Sequence, residues 1–222
     1  MQGDSIIVEE HHKKAASAVA EILMQQIDLF DSRTTISIAG ESGSGKSETA
    51  QALADELEKN GFTCYIFQQD DYFIYPPKTN DKTRRENIDW VGSGEVRLDL
   101  LDEHLEKFLS GENSLKKPLV FYEEDRVDEE EIDLSSVNVV IAEGTYTTLL
   151  DQARNHVFID RSYLETRAHR EKRKRDASEL DDFIENVLSI EHEIISSHKK
   201  RASIIIDADY NASASNTNNI NE

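Results

Sequence analysis

This chain of 222 residues has one cysteine, no long apolar run and few positive charges, and each of these features bears on the class of protein. Its single cysteine, Cys64, excludes an intrachain disulfide and lies in an apolar segment, so we expect a buried thiol and a reducing compartment. No apolar run approaches the roughly 20 residues of a bilayer-spanning helix. Residues 1–10 lack the basic and apolar regions of a secretory signal. We therefore expect a cytoplasmic protein without a membrane partner.

Positive charge is also scarce. The chain has 25 Lys and Arg residues against 45 Asp and Glu residues, and its formal net charge is −20. A duplex nucleic acid partner needs a basic surface, so we expect no nucleic acid partner. The sequence has no internal repeat and no Cys/His spacing typical of a metal site. One stretch departs from the acidic balance and carries six basic residues: Arg167, Arg170, Lys172, Arg173, Lys174 and Arg175.

A phosphate-binding motif follows a short β-prone segment at residues 34–39. It fits G-x-x-x-x-G-K-[ST], in which glycines let backbone N–H groups surround phosphate oxygens while the lysine reaches the β- and γ-phosphates. The hydroxyl of the last residue, Ser47, is a ligand for the accompanying Mg²⁺. A helix predicted from residue 47 to 59 presents its positive end to the phosphates. The predicted ATP-binding residues are Gly40, Glu41, Ser42, Gly43, Ser44, Gly45, Lys46, Ser47 and Glu48.

Strand-like and helix-like segments alternate along the chain, which predicts an α/β fold with a mainly parallel sheet. We expect one domain over residues 1–210, with an N-terminal helix at 9–30, an arginine-rich helical lid near 162–178 and a disordered tail at 211–222. Residues 76–94 read as irregular, and residues 123–133 read as a solvated acidic loop. His11 and His12 at the first helix read as solvent-exposed. Whether this helix packs on the sheet or on a partner, as in a homo-oligomer, stays open.

Acidic residues follow two of the predicted strands. Asp70 and Asp71 come directly after residues 62–68, and Glu143 ends the apolar segment 137–142. Functional groups gather at the carboxyl ends of parallel strands, so these acids are predicted to lie near the triphosphate. Glu143 fits an acid that holds Mg²⁺, in part through water, although an ordinary acid at a helix start is the alternative.

The basic stretch is predicted to lie on a helix that begins with a capping box formed by Ser162 and Glu165. Arg167, Arg170 and Arg173 recur every three residues and so share one face. Arginine suits phosphoryl oxygens, which predicts that this face closes over ATP. A solvated surface helix is the alternative interpretation.

Together these segments resemble the uridine kinase and phosphoribulokinase family of P-loop kinases, from about residue 34 to 210. The resemblance rests on the phosphate loop, Gln69-Asp70-Asp71-Tyr72-Phe73, Asn87-Ile88-Asp89, Ile141-Ala142-Glu143-Gly144, residues 167–176 and residues 199–206. It implies a P-loop three-layer fold, ATP as phosphoryl donor, Mg²⁺, and a small-molecule acceptor. It also implies that Asp70 is the base, that Asp89 holds ribose hydroxyls, and that Arg170 and Arg173 belong to the lid.

The predicted catalytic residues are therefore Asp70, Lys46, Arg170 and Arg173, and Ser47 and Glu143 are the predicted metal ligands. The predicted acceptor-binding residues are Asp70, Tyr72, Phe73, Asp89 and Arg126. After Asp89 the chain reads Trp90-Val91-Gly92-Ser93 where uridine kinases have His-Pro-Asp-Ala, so uridine itself is not implied. The Gln69-to-Phe73 segment is also similar to nicotinamide riboside kinases.

We predict an ATP-dependent kinase that acts on a nucleoside or another ribosyl or sugar compound. The alternatives are a non-nucleoside acceptor such as pantothenate or a sugar phosphate, a P-loop ATPase or switch, and a binding protein without catalysis.

Overall fold

The computed structural model describes residues 6–26, 33–166 and 182–215. The helices are α1 (Glu10–Gln26), α2 (Lys46–Lys59), α3 (Pro77–Glu86), α4 (Leu98–Leu109) and α5 (Asp182–His198). The strands are β1 (Thr34–Gly40), β2 (Cys64–Gln68), β3 (Ser114–Phe121), β4 (Arg126–Asp133), β5 (Val139–Gly144), β6 (Asn155–Ile159), β7 (Ile204–Ile206) and β8 (Ala212–Ala214). Within the described ranges, no helix is both long and apolar enough to cross a bilayer.

The central sheet has six strands in the order β2-β5-β1-β6-β7-β8. All neighbouring pairs are parallel except β7 and β8, so the prediction of an α/β fold with a mainly parallel sheet is confirmed. Ile38 of β1 and Gln68 of β2 are both in register with Glu143 of β5. Because parallel strands end at one edge, the segments that follow β1, β2 and β5 emerge side by side.

Apolar side chains alternate along the central strands and so cover both faces of the sheet. Ile36 and Ile38 of β1 pack with α1 and α2 in one core. Val140 and Ala142 of β5 pack on the opposite face, in a second core with apolar residues from α4, α5 and β3. Parallel sheets are buried in this way on both faces, and the result is three layers, with helices on each side of the sheet.

The predicted N-terminal helix packs on the domain itself. Its buried side chains Ala15, Val19 and Leu23 belong to the same core as α2 and the sheet. The structure describes this helix as Glu10–Gln26, and residues 27–32 lie outside the described ranges. Within residues 10–26, the apolar stripe of α1 therefore packs against α2 and the sheet of the same chain. This answers, for the described part of the helix, whether it packs on the sheet or on a partner.

Three segments differ from the sequence predictions. The stretch predicted to be irregular contains α3, which begins with Pro77 and whose first N–H groups, on Lys78 and Thr79, are bound by the Asp125 carboxylate. Polar residues dominate α3, so it has no apolar stripe to reveal it, and its capping carboxylate comes from a distant part of the chain. The acidic stretch predicted to be a loop forms β4, because it pairs antiparallel with β3.

The predicted disordered tail begins too early. Ala212–Ala214 forms β8, which pairs antiparallel with β7 at the edge of the sheet. Residues 216–222 of that tail, like residues 167–181 of the predicted lid, lie outside the described ranges.

A buried ion pair attaches the β3–β4 hairpin to the segment after β2. Lys117 and Asp71 are each 3% exposed at their side chains, and Lys117 Nζ lies 2.9 Å from Asp71 Oδ2. The other oxygen, Asp71 Oδ1, accepts the backbone N–H of Val120 at 3.0 Å. Lys117 Nζ also lies 2.7 Å from Glu130 Oε1 on β4. Asp71 is therefore a structural residue, and the prediction that it lies near the triphosphate is wrong.

We predict that Asp71→Asn lowers the free energy of unfolding by about 2–4 kcal/mol, because it removes one of two carboxylates from a buried ammonium group. Urea denaturation measures the effect. The matched control is Asp70→Asn at the neighbouring, partly exposed position, which should change stability by less than about 1 kcal/mol. Equal losses for the two variants would contradict the structural role of Asp71.

Candidate active site

The phosphate-binding loop predicted at residues 40–47 connects β1 to α2. Gly45 has a left-handed φ of 92°, and a Cβ atom there would lie 2.9 Å from His12 Nε2. At Gly40 a Cβ atom would lie 2.9 Å from the backbone oxygen of Ile159. Both positions therefore require glycine. The N-terminal end of α2 adjoins the loop, and the positive end of a helix favours phosphate oxygens.

The predicted donor-site side chains come together at the start of α2. Lys46 Nζ donates a hydrogen bond to the backbone oxygen of Glu41 at 3.0 Å. Ser47 Oγ donates to Glu143 Oε1 at 3.0 Å across the edge of the sheet. The charge of Lys46 also acts on Glu143, which places the ammonium and the carboxylate in one site.

Glu143 has an unusual environment for a carboxyl group, since it is 5% exposed at the end of β5. Burial raises its pKa to about 7, and the nearby negative charge of Asp70 raises it as well. Lys46 and the Ser47 hydrogen bond act in the opposite direction. A buried carboxyl whose pKa is raised by burial and by a neighbouring carboxylate is typical of a functional site.

These oxygens fit a Mg²⁺ ion. The Ser47 hydroxyl and a Glu143 carboxylate oxygen are neighbours, and oxygen atoms are the ligands that Mg²⁺ prefers. Burial, and then the charge of Asp70, disfavour the ionised form of Glu143, and a bound cation would favour that form. Among the described residues, no group of three or more His, Cys, Asp or Glu side chains forms a metal site. A bound Mg²⁺ would therefore also need substrate phosphates and water as ligands.

Gln69 fixes the position of Asp70, and the sequence analysis gave it no role. Its amide donates to Thr145 Oγ1 at 3.0 Å and accepts the N–H of Tyr146 at 2.7 Å. A Cβ atom at Gly144 would lie 2.2 Å from Gln69 Cβ, so glycine is needed for this close approach. The ends of β2 and β5 are thus joined, and Asp70 stays partly exposed beside Glu143.

The prediction that Tyr72 binds the acceptor is wrong. Its side chain is fully buried, and its hydroxyl forms a 2.9 Å hydrogen bond with His104 Nδ1. The ring packs edge-on against Phe67 in the core. Tyr72 therefore anchors the segment after β2 and does not face a ligand. Phe73 is partly buried and forms an isolated β-bridge with Val96.

Two other predicted acceptor residues lie at the surface. Asp89 is exposed in the turn after α3, and its N–H is bound by Asn87 Oδ1. Arg126 is exposed at the start of β4, where it pairs with Glu124 and Asp128. Contacts with neighbouring surface residues explain where Asp89 and Arg126 lie. That either residue binds the acceptor stays a prediction.

The predicted lid arginines, Arg167, Arg170 and Arg173, lie outside the described residues. The described residues 163–166 form a helical turn with the predicted capping box, because the Ser162 N–H donates to Glu165 Oε2 at 2.8 Å. Thr166 Oγ1 at the end of this turn donates to the Ser42 backbone oxygen at 2.8 Å. The helix therefore begins in contact with the phosphate-binding loop.

Glu41 links the phosphate-binding loop to both segments that border residues 167–181. Its carboxylate accepts the Tyr163 N–H at 2.6 Å and contacts His192 Nδ1 of α5 at 2.7 Å. No sequence pattern indicates a role for His192, because its partner is 151 positions away. The Glu41 carboxylate therefore connects the phosphate-binding loop to Tyr163 on one side and to α5 on the other.

The prediction that His12 is solvent-exposed is wrong, because it is 5% exposed and its ring packs edge-on against Tyr210. Its Nε2 lies 3.1 Å from His11 Nε2. Tyr210 Oη donates to the Ser44 backbone oxygen at 3.2 Å and accepts from Arg161 Nη1 at 2.6 Å. The start of α1 and the loop after β7 therefore support the phosphate-binding loop from outside.

Comparison with known proteins is consistent with this site. A family model described as the phosphoribulokinase / uridine kinase family matches residues 35–208. The chain is 31% identical over 191 residues to a bifunctional alpha-galactosidase/sucrose kinase of Mediterraneibacter gnavus, covering 81% of this chain and 20% of that protein. It therefore spans about a fifth of that relative's length. It is 29% identical over 183 residues to a uridine kinase of Bacillus cereus, covering 77% of this chain and 84% of the relative.

Solved structures share the fold at low sequence identity. A possible uridine kinase from Bacillus stearothermophilus gives a TM-score of 0.61 at 16% identity, with 86% of this chain and 96% of that chain covered. A D-glycerate 3-kinase from Cryptococcus neoformans gives a TM-score of 0.60 at 16% identity, with 93% and 99% covered. These likenesses show that the chain shares the fold of those proteins.

We predict that Glu143→Gln stabilises the ligand-free protein in a pH-dependent way. The pKa of Glu143 lies near 7 in the folded chain and is ordinarily 4.5, so the native state favours the protonated carboxyl. The stability from that proton is fully present below about pH 4.5 and is lost as pH rises through about 7. Without Mg²⁺ or nucleotide, the variant should be more stable than the wild type by about 1–3 kcal/mol at pH 8 and by much less at pH 5.

Urea denaturation at the two pH values measures this difference. Glu129→Gln on the exposed strand β4 is the control and should change stability little at either pH. A gain from Glu143→Gln that is the same at pH 5 and pH 8 would show that the buried charge is not its cause.

Proposed function

Because this chain belongs to the phosphoribulokinase / uridine kinase family, we propose that it is an ATP-dependent kinase that phosphorylates a hydroxyl group of a small molecule. One observation carries the proposal. A phosphate-binding loop, a buried acid in contact with its serine and a partly exposed aspartate meet at one edge of the sheet. These are the groups that phosphoryl transfer requires, since it depends on positioning and charge stabilisation.

The donor half of the site holds ATP. Backbone N–H groups of the phosphate-binding loop and the Lys46 ammonium bind the phosphates, and Ser47 and Glu143 hold the Mg²⁺ that would accompany them. This Mg²⁺ supplies charge neutralisation on the phosphates. Arg170 and Arg173 remain our proposal for the side chains that complete the donor site. Such a kinase works where ATP is available, and we propose a cytoplasmic location.

Asp70 is the proposed base of the acceptor half. Its carboxylate is partly exposed and its charge acts on Glu143, which supports a place for Asp70 beside the donor half of the site. As the acceptor oxygen forms its bond to the γ-phosphorus, the bond from that phosphorus to the β,γ-bridging oxygen breaks and ADP leaves. The hydroxyl proton passes to Asp70, which first orients the hydroxyl for in-line attack.

The acceptor is a nucleoside or a sugar. Among the relatives, the Mediterraneibacter gnavus protein is a sucrose kinase and the Bacillus cereus protein is a uridine kinase. Both names denote a small acceptor that carries several hydroxyl groups. Asp89 is proposed to bind acceptor hydroxyls from the surface turn after α3.

ADP formation with and without a panel of acceptors tests the proposal. The panel contains uridine, cytidine, nicotinamide riboside, D-ribose, D-fructose, sucrose, pantothenate and a sugar phosphate. A kinase shows ADP formation that one class of acceptor stimulates. A constant rate that no acceptor changes would instead indicate a P-loop ATPase, and the kinase proposal would fail.

We predict that Asp70→Asn lowers acceptor-stimulated turnover by about 10²–10⁴-fold while ATP binding changes little, because only proton acceptance is lost. Lys46→Ala should lower turnover and also weaken ATP binding, since a phosphate ligand is removed. Turnover and nucleotide titration measure the two effects separately. Wild-type turnover of the Asp70 variant would remove that residue from the role of base.

A further inference from the structure

A buried cluster of three charged side chains connects α3, the turn before α4, and α5. Arg84 Nε and Nη2 donate to the two oxygens of Glu95 at 2.6 and 3.0 Å, and Nη2 also donates to Glu191 Oε1 at 2.9 Å. The Glu95 side chain is 0% exposed, whereas those of Arg84 and Glu191 keep 15% and 10%. Glu95 is therefore the inner anchor, and the other two reach the surface.

The cluster lies beside the proposed reaction site. The charge of Lys46 in the phosphate-binding loop acts on Glu191, and the next residue, His192, contacts Glu41 of the same loop. On the other side, the backbone oxygen of Glu95 accepts the N–H of Ile74, in the segment that follows Asp70. The ion cluster is thus held between the donor loop and the segment that carries the proposed base.

An aromatic surface is joined to the same cluster. Trp90 Nε1 donates to Asn80 Oδ1 at 2.9 Å, and the amide of Asn80 donates to Glu95. The Trp90 ring lies 5.4 Å from the ring of Tyr75, centroid to centroid, and Tyr75 is 38% exposed. Aromatic faces next to fixed carboxylate and guanidinium groups can pack against the C–H faces of a ligand and bind its hydroxyls.

We propose that Arg84, Glu191 and Trp90 form an acceptor subsite that is selective for uncharged, polyhydroxylated molecules and rejects phosphorylated or carboxylated ones. This inference rests on the proposed kinase function and specifies the acceptor class of that site. Glu191 accepts ligand hydroxyls, Arg84 donates to hydroxyl oxygens, and Trp90 covers an apolar face of the ligand.

Charge decides between neutral and anionic acceptors. In the described cluster, the single guanidinium of Arg84 pairs with two carboxylates, so the three side chains together carry a net negative charge when both acids are ionised. A phosphate or carboxylate placed beside Glu191 would meet that negative charge and would also lose hydration. A neutral hydroxyl group meets no such penalty and finds both a donor and an acceptor.

The burial of Glu191 favours a neutral ligand. Burial raises the pKa of this carboxyl, although Arg84 acts to lower it. An anion bound beside Glu191 would add a second charge to this buried site, whereas a hydroxyl group adds none.

Trp90 is the only tryptophan of the chain, so its fluorescence reports ligand binding at this surface without any need for turnover. We expect a saturable fluorescence change with at least one of D-ribose, D-fructose and sucrose, in the presence of Mg²⁺ and ADP. Fructose 6-phosphate and D-glycerate should produce none at the same concentrations. A saturable response to the two anions alone would overturn the inference.

Glu191→Gln tests the subsite directly, because the amide oxygen can still accept from Arg84 while the charge is lost. For the best neutral acceptor, KM should rise about tenfold through loss of a charge-assisted hydrogen bond. The KM for ATP should stay close to wild type. Glu193→Gln, an exposed neighbour on α5, is the matched control and should leave both KM values unchanged.

The outcomes separate the subsite from the kinase function. Wild-type activity only on anionic acceptors, or an unchanged acceptor KM in Glu191→Gln, contradicts the subsite and leaves the kinase function standing. Equal increases in both KM values would indicate a structural role for Glu191 and would also contradict it. If no acceptor stimulates the wild type, the proposed function fails and the subsite with it.

Discussion

The parallel register of three strands is the constraint on which the site depends. Ile38 of β1 and Gln68 of β2 flank Glu143 of β5, so these strands end at one edge of the sheet. The loops that follow them carry the phosphate-binding motif, the proposed base and the predicted Mg²⁺ ligand. Hydrogen bonds from Gln69 then hold two of these loops together. A change of register by one residue would separate the groups, since successive side chains point to opposite faces.

Acidic groups around this edge are held by a small number of basic side chains. Lys117 pairs with Asp71, Arg84 pairs with Glu95 and Glu191, and His192 contacts Glu41. Breaking a buried pair leaves an uncompensated charge, so these contacts fix the positions of the elements that carry them. At Glu143, burial and Asp70 raise the pKa to about 7. Asp71 and Glu95 thus hold the architecture, whereas we propose Glu143 and Glu191 for contacts with a cation and an acceptor.

The sequence predicted the parts of the molecule that local patterns specify. Apolar periodicity located the helices and the buried strands, and the glycine spacing located the phosphate-binding loop together with Lys46 and Ser47. It could not distinguish Asp70 from Asp71, because adjacent residues of one type differ only in their tertiary partners. Tyr72 was misassigned for the same reason, since its hydroxyl partner, His104, lies on α4. The helix α3 was missed because its stabilising contacts come from Asp125 and not from an apolar stripe.

The contact between Tyr210 and the phosphate-binding loop has a consequence for folding. The hydroxyl of Tyr210 is bound to the Ser44 backbone oxygen across 166 positions of sequence, and α1 contacts the same loop from the other end of the chain. Contacts of such long range form late, because the intervening chain must first be ordered. The loop therefore has its full set of contacts only when segments from both sides of it in the sequence are in place. A nascent chain that ends before Tyr210 carries the motif without this contact.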